Sequence, residues 1–96
     1  MRTRITKRDY ELAMKATDES RSEVRANYGK ALCCGCLIYQ AATRRGLSSK
    51  FVSYEWIELN TGIIHRFGPN EKKITAASRN DWPSFIGKTI TLPDVK

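Results

Sequence analysis

Ala31 to Tyr39 is the longest stretch of this chain without a charged or strongly polar side chain, and it holds all three cysteines, Cys33, Cys34 and Cys36. Arg25 and Lys30 stand before it and Arg44 and Arg45 after it. A stretch of this kind is either the inside of a fold or a metal or redox site, and the two alternatives imply very different proteins.

Cys33 and Cys36 make a C-x-x-C pair, but zinc takes four ligands, usually from a second such pair or from histidines. No second pair exists, and His65 is the only histidine. On a helix, Cys34 and Cys36 point about 160° apart, so the three thiolates cannot converge on one ion. A thioredoxin-like thiol sits at a helix N-terminus, where the dipole lowers its pKa, whereas these lie mid-helix by the pattern around them. Buried free cysteine behaves as a small hydrophobe. The expectation is packing, with no cofactor. A metal- or redox-active protein using Cys33, Cys36 and His65 is the third alternative, its main form a metal site completed across a subunit interface.

The surroundings predict helices. Thr6 and Asp9 have capping-box spacing, and Tyr10, Ala13, Met14 and Thr17 recur at helical period, so a first helix is expected over 7–18. Ser20 and Glu23 repeat the capping box and predict a second, long helix from Arg21 to Arg45, although residues 18–20 could equally continue the first. Arg44 and Arg45 suit the negative end of its dipole, and Gly46 suits the left-handed cap. Val24, Ala31, Gly35, Ile38 and Ala42 fall on one side of this helix, flanked by Tyr28 and Tyr39. Between Ala31 and Tyr39 it is apolar all round, which implies burial at the centre of the fold or under a second subunit, and makes a homodimer through this helix reasonable.

After Gly46 the period changes. Phe51 to Leu59 is rich in β-branched and aromatic residues, Asn60-Thr61-Gly62 is a three-residue turn signal, and Ile63 to Phe67 returns as the partner strand. Setting Leu59 opposite Ile63 puts Ile57 opposite His65 and Trp56 opposite Arg66. The alternation slips between Trp56 and Ile57, which suggests a bulge. A turn at Pro69 and Asn70, a short strand over 74–77, a helical turn over 78–82 ending before Pro83, and a last strand over 88–92 complete the pattern. The fold class is α+β: one domain over 1–96, with two N-terminal helices, the second long and centrally buried, against a small antiparallel sheet of about three to four strands. Residues 1–6 read as a flexible basic arm. No apolar run reaches the length of a membrane span and no signal core follows the N-terminus, so a cytoplasmic protein is expected.

Charge supplies the functional hint. The net charge is +7, and residues 1–50 carry 11 Lys and Arg against 5 acids, while residues 51–96 carry 6 against 5. A basic half attracts polyanions. The candidate contacts are Arg2, Arg4, Lys7 and Arg8 in the arm, Arg44, Arg45 and Lys50 at the end of the second helix, and Arg66, Lys72 and Lys73 beyond. Trp56 or Tyr54 would stack on bases. Gly87-Lys88-Thr89 resembles the tail of a phosphate-binding loop, but the motif requires glycine where Trp82 stands. With no catalytic constellation present, a non-enzymatic nucleic-acid-binding protein, regulatory in role, is the leading expectation. The alternative is a protein-interaction module that docks on an acidic protein surface, such as the inhibitors and adaptors of host enzymes and complexes encoded by phages and other mobile elements. Its contacts would be Trp56, Arg66, Trp82 and Phe85.

Overall fold

A computed structural model describes residues 1–24 and 37–94, with backbone alone over 19–24. Within these residues the order is β1 (Arg2–Arg4), α1 (Lys7–Val24), α2 (Leu37–Arg44), β2 (Ser49–Val52), β3 (Trp56–Leu59), β4 (Ile64–Arg66), α3 (Pro69–Ala76), a 3₁₀ segment (Arg79–Phe85) and β5 (Thr89–Thr91). Helices and antiparallel strands mix as the α+β reading requires, but the strands form two sheets, β1-β5 and β2-β3-β4. No described helix is long and apolar enough to cross a membrane.

The first residues correct the expectation of a flexible arm. β1 pairs antiparallel with β5, setting Arg2 opposite Thr91, Thr3 opposite Ile90 and Arg4 opposite Thr89. Thr3 and Ile5 are buried. The physical reason is alternation: Thr3 and Ile5 point one way and Arg2 and Arg4 the other, so one face can enter the core while the arginines stay in water. The Ile5 amide donates to the Lys88 carbonyl at 2.9 Å, and the Gly87 amide donates to the Ile5 carbonyl at 2.7 Å.

The start of α1 is set by the predicted capping box. The Thr6 amide donates to Asp9 Oδ2 at 3.0 Å, and the Asp9 amide donates to Thr6 Oγ1 at 3.1 Å, satisfying two of the donors that a helix start leaves without partners. The helix then continues through Ser20 to Val24, so no new helix starts at Arg21. Residues 18–21 contain neither Gly nor Pro, and nothing there interrupts the backbone ladder. Of the long second helix, residues 25–36 lie outside the described residues, and with them Cys33, Cys34, Cys36, Tyr28, Ala31 and Gly35.

The end of α2 is a Schellman motif. Gly46 takes φ +90°, its amide donates to Thr43 at 3.0 Å, and the Leu47 amide reaches back to Ala42 at 2.9 Å. Leu47 is thereby turned into the core. Leu37, Ile38, Ala41 and Ala42 are all buried, and α2 packs on α1, α3 and β2. Ile38 and Ala42, two residues of the face considered for a homodimer, are therefore covered by their own chain.

The expected strand over Phe51 to Leu59 is two strands. The chain reverses at Ser53-Tyr54-Glu55, and Val52 comes to lie opposite Ile57. The Ser53 hydroxyl holds the reversal, accepting from the Glu55 amide at 3.2 Å and the Trp56 amide at 3.0 Å. The phase slip near Trp56 is thus a hairpin, and the irregularity in register lies between Ser49 and Phe51. The β3-β4 pairing has the expected register, with Trp56 opposite Arg66 and Ile57 opposite His65, closed by Gly62 at φ +91°.

Residues 69–76 are helical instead of turn and strand. Pro69 occupies the first turn, where its missing N–H costs nothing. Glu71 turns its carboxylate back to accept from the Gly68 amide at 2.9 Å. The 3₁₀ segment runs past the expected stop at Pro83 to Phe85, and Trp82 within it is buried. Both sheets and the helices share one apolar cluster, to which Ile90 contributes from the first sheet, Ile5 from just beyond β1, and Val52, Ile57 and Leu59 from the second sheet.

Candidate nucleic-acid interface

The structure divides the predicted cations into two groups. Asp9, fully buried, holds Arg44: its Oδ1 accepts from Arg44 Nε at 3.0 Å, and its Oδ2 accepts from Nε at 3.3 Å and Nη2 at 3.2 Å. Arg44 Nη2 also donates to the Arg4 carbonyl at 2.8 Å. Arg44, placed by sequence among the leading phosphate contacts, instead joins the end of α2 to the capped start of α1 and to β1. A buried carboxylate needs such a partner, since leaving it unpaired costs several kcal/mol by order of magnitude. Arg45 sends Nη2 to Met1 Sδ at 3.5 Å. Lys50 lies 3.7 Å from Glu58. Arg79, not among the predicted contacts, pairs with Asp18.

Arg2 and Arg4 are exposed on the outer face of β1, and Lys7 and Arg8 on the first turn of α1. Lys72, Lys73 and Lys88 are also exposed. Among the described residues none of these seven cations enters an ion pair. Several of them are linked by the fold. Arg4 stands opposite Thr89 on β5, and Thr89 with Lys88 lines a recess of about 230 Å³ whose other wall is Asn70, Lys73 and Ile74 of α3. On α3, Thr75 donates its hydroxyl to the Tyr54 carbonyl at 2.9 Å, which sets the highly exposed Tyr54 beside that helix. A basic band thus leads from β1 across β5 to α3 and the Tyr54 turn.

The remaining predicted residues lie on the β2-β3-β4 sheet. Its outer face carries half-buried Trp56 opposite exposed Arg66, and exposed Phe51 and Ile64 on either side of Glu58. Among the described residues no guanidinium stacks on a ring, so Arg66 and Trp56 are cross-strand neighbours only. His65 is half-buried and meets Phe67 edge-on, with ring centroids 6.3 Å apart. No three of His, Cys, Asp and Glu among the described residues come together in a way that could hold a metal ion, and Cys33 and Cys36 lie outside those residues. Trp82, a predicted protein contact, is in the core, while Phe85 is half-buried at the recess.

Sequence reasoning missed Lys88 and Asn70. Lys88 belongs to the Gly87-Lys88-Thr89 stretch that fails the phosphate-loop motif, and its signal is simply a lysine at the mouth of a predicted strand. Asn70 reads as a turn residue, and only the helix places it one turn before Lys73. No family model, curated protein or solved structure matches the chain.

Proposed function

We propose that this chain is a small, non-enzymatic nucleic-acid-binding protein whose contact surface is the basic band of β1, β5 and α3, with a regulatory role. One observation carries the reading: the cations of the band lack acidic partners among the described residues, whereas Arg44, Lys50 and Arg79 each have one. Unpaired, exposed arginines and lysines release counterions when they meet phosphates, and that release drives binding. Arg2 and Arg4 are held on a strand, roughly 6.6 Å apart along it, which is about the rise of two nucleotides on one strand. Phosphate contacts from paired strands fix position on a backbone in a way that a loose arm does not.

The test is a salt titration of oligonucleotide binding by fluorescence anisotropy. Affinity is expected to fall steeply with salt, with a slope in log–log form of about 0.9 per duplex phosphate contacted, or about 0.7 on a single strand. Arg2→Ala with Arg4→Ala should lower that slope by about 1 to 2 at equal folding, whereas Lys50→Ala should leave it nearly unchanged. Binding without salt dependence would remove the reading.

A second reading rests on the outer face of the β2-β3-β4 sheet, where Phe51 is 41%, Ile64 58% and the neighbouring Tyr54 71% exposed. Such a surface suits a chain that is itself an interaction module, an inhibitor or adaptor docking on a host protein, with aromatic and apolar contacts rimmed by Arg66. A stoichiometric protein partner recovered from nuclease-treated lysate, and lost in Phe51→Ser with Ile64→Thr, favours it over nucleic acid.

A further inference from the structure

We infer that the recess between α3 and β5 is a phosphomonoester subsite that takes the terminal phosphate of a nucleic-acid strand; this rests on the nucleic-acid reading of the basic band. Asn70, Lys73 and Ile74 are spaced three and four residues apart and form one stripe of α3. Thr89, the first residue of β5, and Lys88 just before it line the other side, and Phe85 completes the recess with Ile74. The far wall is held by backbone bonds: the Lys88 amide donates to the Phe85 carbonyl at 3.0 Å, and the Lys88 carbonyl accepts from Ile5 at 2.9 Å. Gly87, at φ +89°, supplies the left-handed turn between Phe85 and Lys88.

Chemistry narrows the ligand. The lining offers two ammonium groups, one amide and one hydroxyl, and no carboxylate. The acid of α3, Glu71, is buried with its carboxylate turned to the Gly68 amide, and among the described residues neither lysine enters an ion pair. Two cations in one recess match the charge of a phosphomonoester, about −1.5 to −2 at neutral pH, better than the single charge of an internal diester. A space of about 230 Å³ lies below the range of roughly 300–1,000 Å³ common for drug-sized ligands. It suits a phosphate with its sugar, the carbon face of which lies against Ile74 and Phe85. Continuity with the band supplies the rest. Thr89 belongs both to the recess and to the ladder opposite Arg4, so a strand whose end sits between Lys73 and Lys88 leads directly onto Arg4 and then Arg2.

The experiment is competition against an internally labelled oligonucleotide. The competitors share one sequence and carry a 5′-phosphate, a 3′-phosphate, or hydroxyls at both ends; a nucleoside monophosphate and inorganic phosphate are run beside them. One phosphorylated form is expected to compete about tenfold better than the dihydroxyl form. That preference should vanish in Lys73→Gln with Lys88→Gln, both at exposed positions, with circular dichroism run on the variant to check that it folds as the parent does. Arg2→Ala with Arg4→Ala should weaken all three oligonucleotides alike and keep the ratio. Equal competition by all three, with salt-dependent binding intact, overturns the subsite and leaves the nucleic-acid reading standing. A preference that survives the lysine double variant overturns its location. Competition by free monophosphate or inorganic phosphate as strong as by the phosphorylated strand assigns the recess to a small ligand instead. Absence of binding by every oligonucleotide overturns the inference and the reading together.

Discussion

The two sheets of this protein face solvent with opposite chemistry. The β1-β5 ribbon turns Thr3 and Ile90 inward and leaves Arg2, Arg4 and Thr91 in water. The β2-β3-β4 sheet turns Val52, Ile57 and Leu59 inward and leaves Phe51 and Ile64 exposed. Ribbon cations have no described acidic partner, while Lys50 on the larger sheet lies near Glu58. Their construction differs as well: consecutive hairpins join the larger sheet, whereas the ribbon joins opposite ends of the sequence. A charged, three-residue strand is held there because its one inward residue, Thr3, the buried Ile5 that follows it and its bonds to β5 outweigh the cost of ordering it. The lesson is that the ribbon is at once part of the core and, among the described residues, a surface of unpaired cations.

The sharpest way to break that comparison is to remove residues 1–5. A dispensable arm would cost nothing. A core strand should cost about 4 kcal/mol, from the lost burial of Ile5 and exposure of its neighbours on β5 plus several ladder hydrogen bonds, read by urea denaturation. Next comes Asp9→Ala, expected to cost about 3 kcal/mol because it removes the carboxylate half of the capping box and leaves Arg44 without its partner. Lys50→Ala, which breaks the exposed pair on the other sheet, should stay within about 0.5 kcal/mol. Equal losses at Asp9 and Lys50 would erase the distinction between structural and surface pairs. The last effect is a gain, opposite in sign to the others and larger than the Lys50 change. Thr3 Oγ1 is buried with no hydrogen-bond partner among the described residues, so Thr3→Val should raise stability by about 1 kcal/mol, visible as a higher Tm.

Local signals in the sequence carried the local features. Thr6 with Asp9, Gly46 after two arginines, and the Asn60-Thr61-Gly62 turn each act within a few residues, and each produced the cap, helix end or hairpin register that such chemistry dictates. The split of Phe51 to Leu59 was hidden because Ser53-Tyr54-Glu55 contains no Gly or Pro, and a serine hydroxyl holds the turn. α3 could have been read from Pro69 and Glu71, which are a helix start by type and spacing; the β-branched run Ile74-Thr75 favours a strand and masks it. β1 was not legible, since its partner is at the far end of the chain and three residues give no period. The same distance hid the site. Arg44 looked free because Asp9 is remote in sequence, and the recess joins residues of α3 to residues of β5 that no spacing rule connects.

The pairing of β1 with β5 also has a consequence for synthesis. Until residues 89–91 have left the ribosome, Arg2–Arg4 has no ladder to join, and Ile5 lacks the bond to the Lys88 carbonyl that fixes it. The hairpins of β2, β3 and β4 close over short separations and can form while the chain is still growing, whereas long-range pairing is slow and comes after. The exposed arginines of β1 and the recess beside Thr89 therefore come together only after residue 91 has emerged.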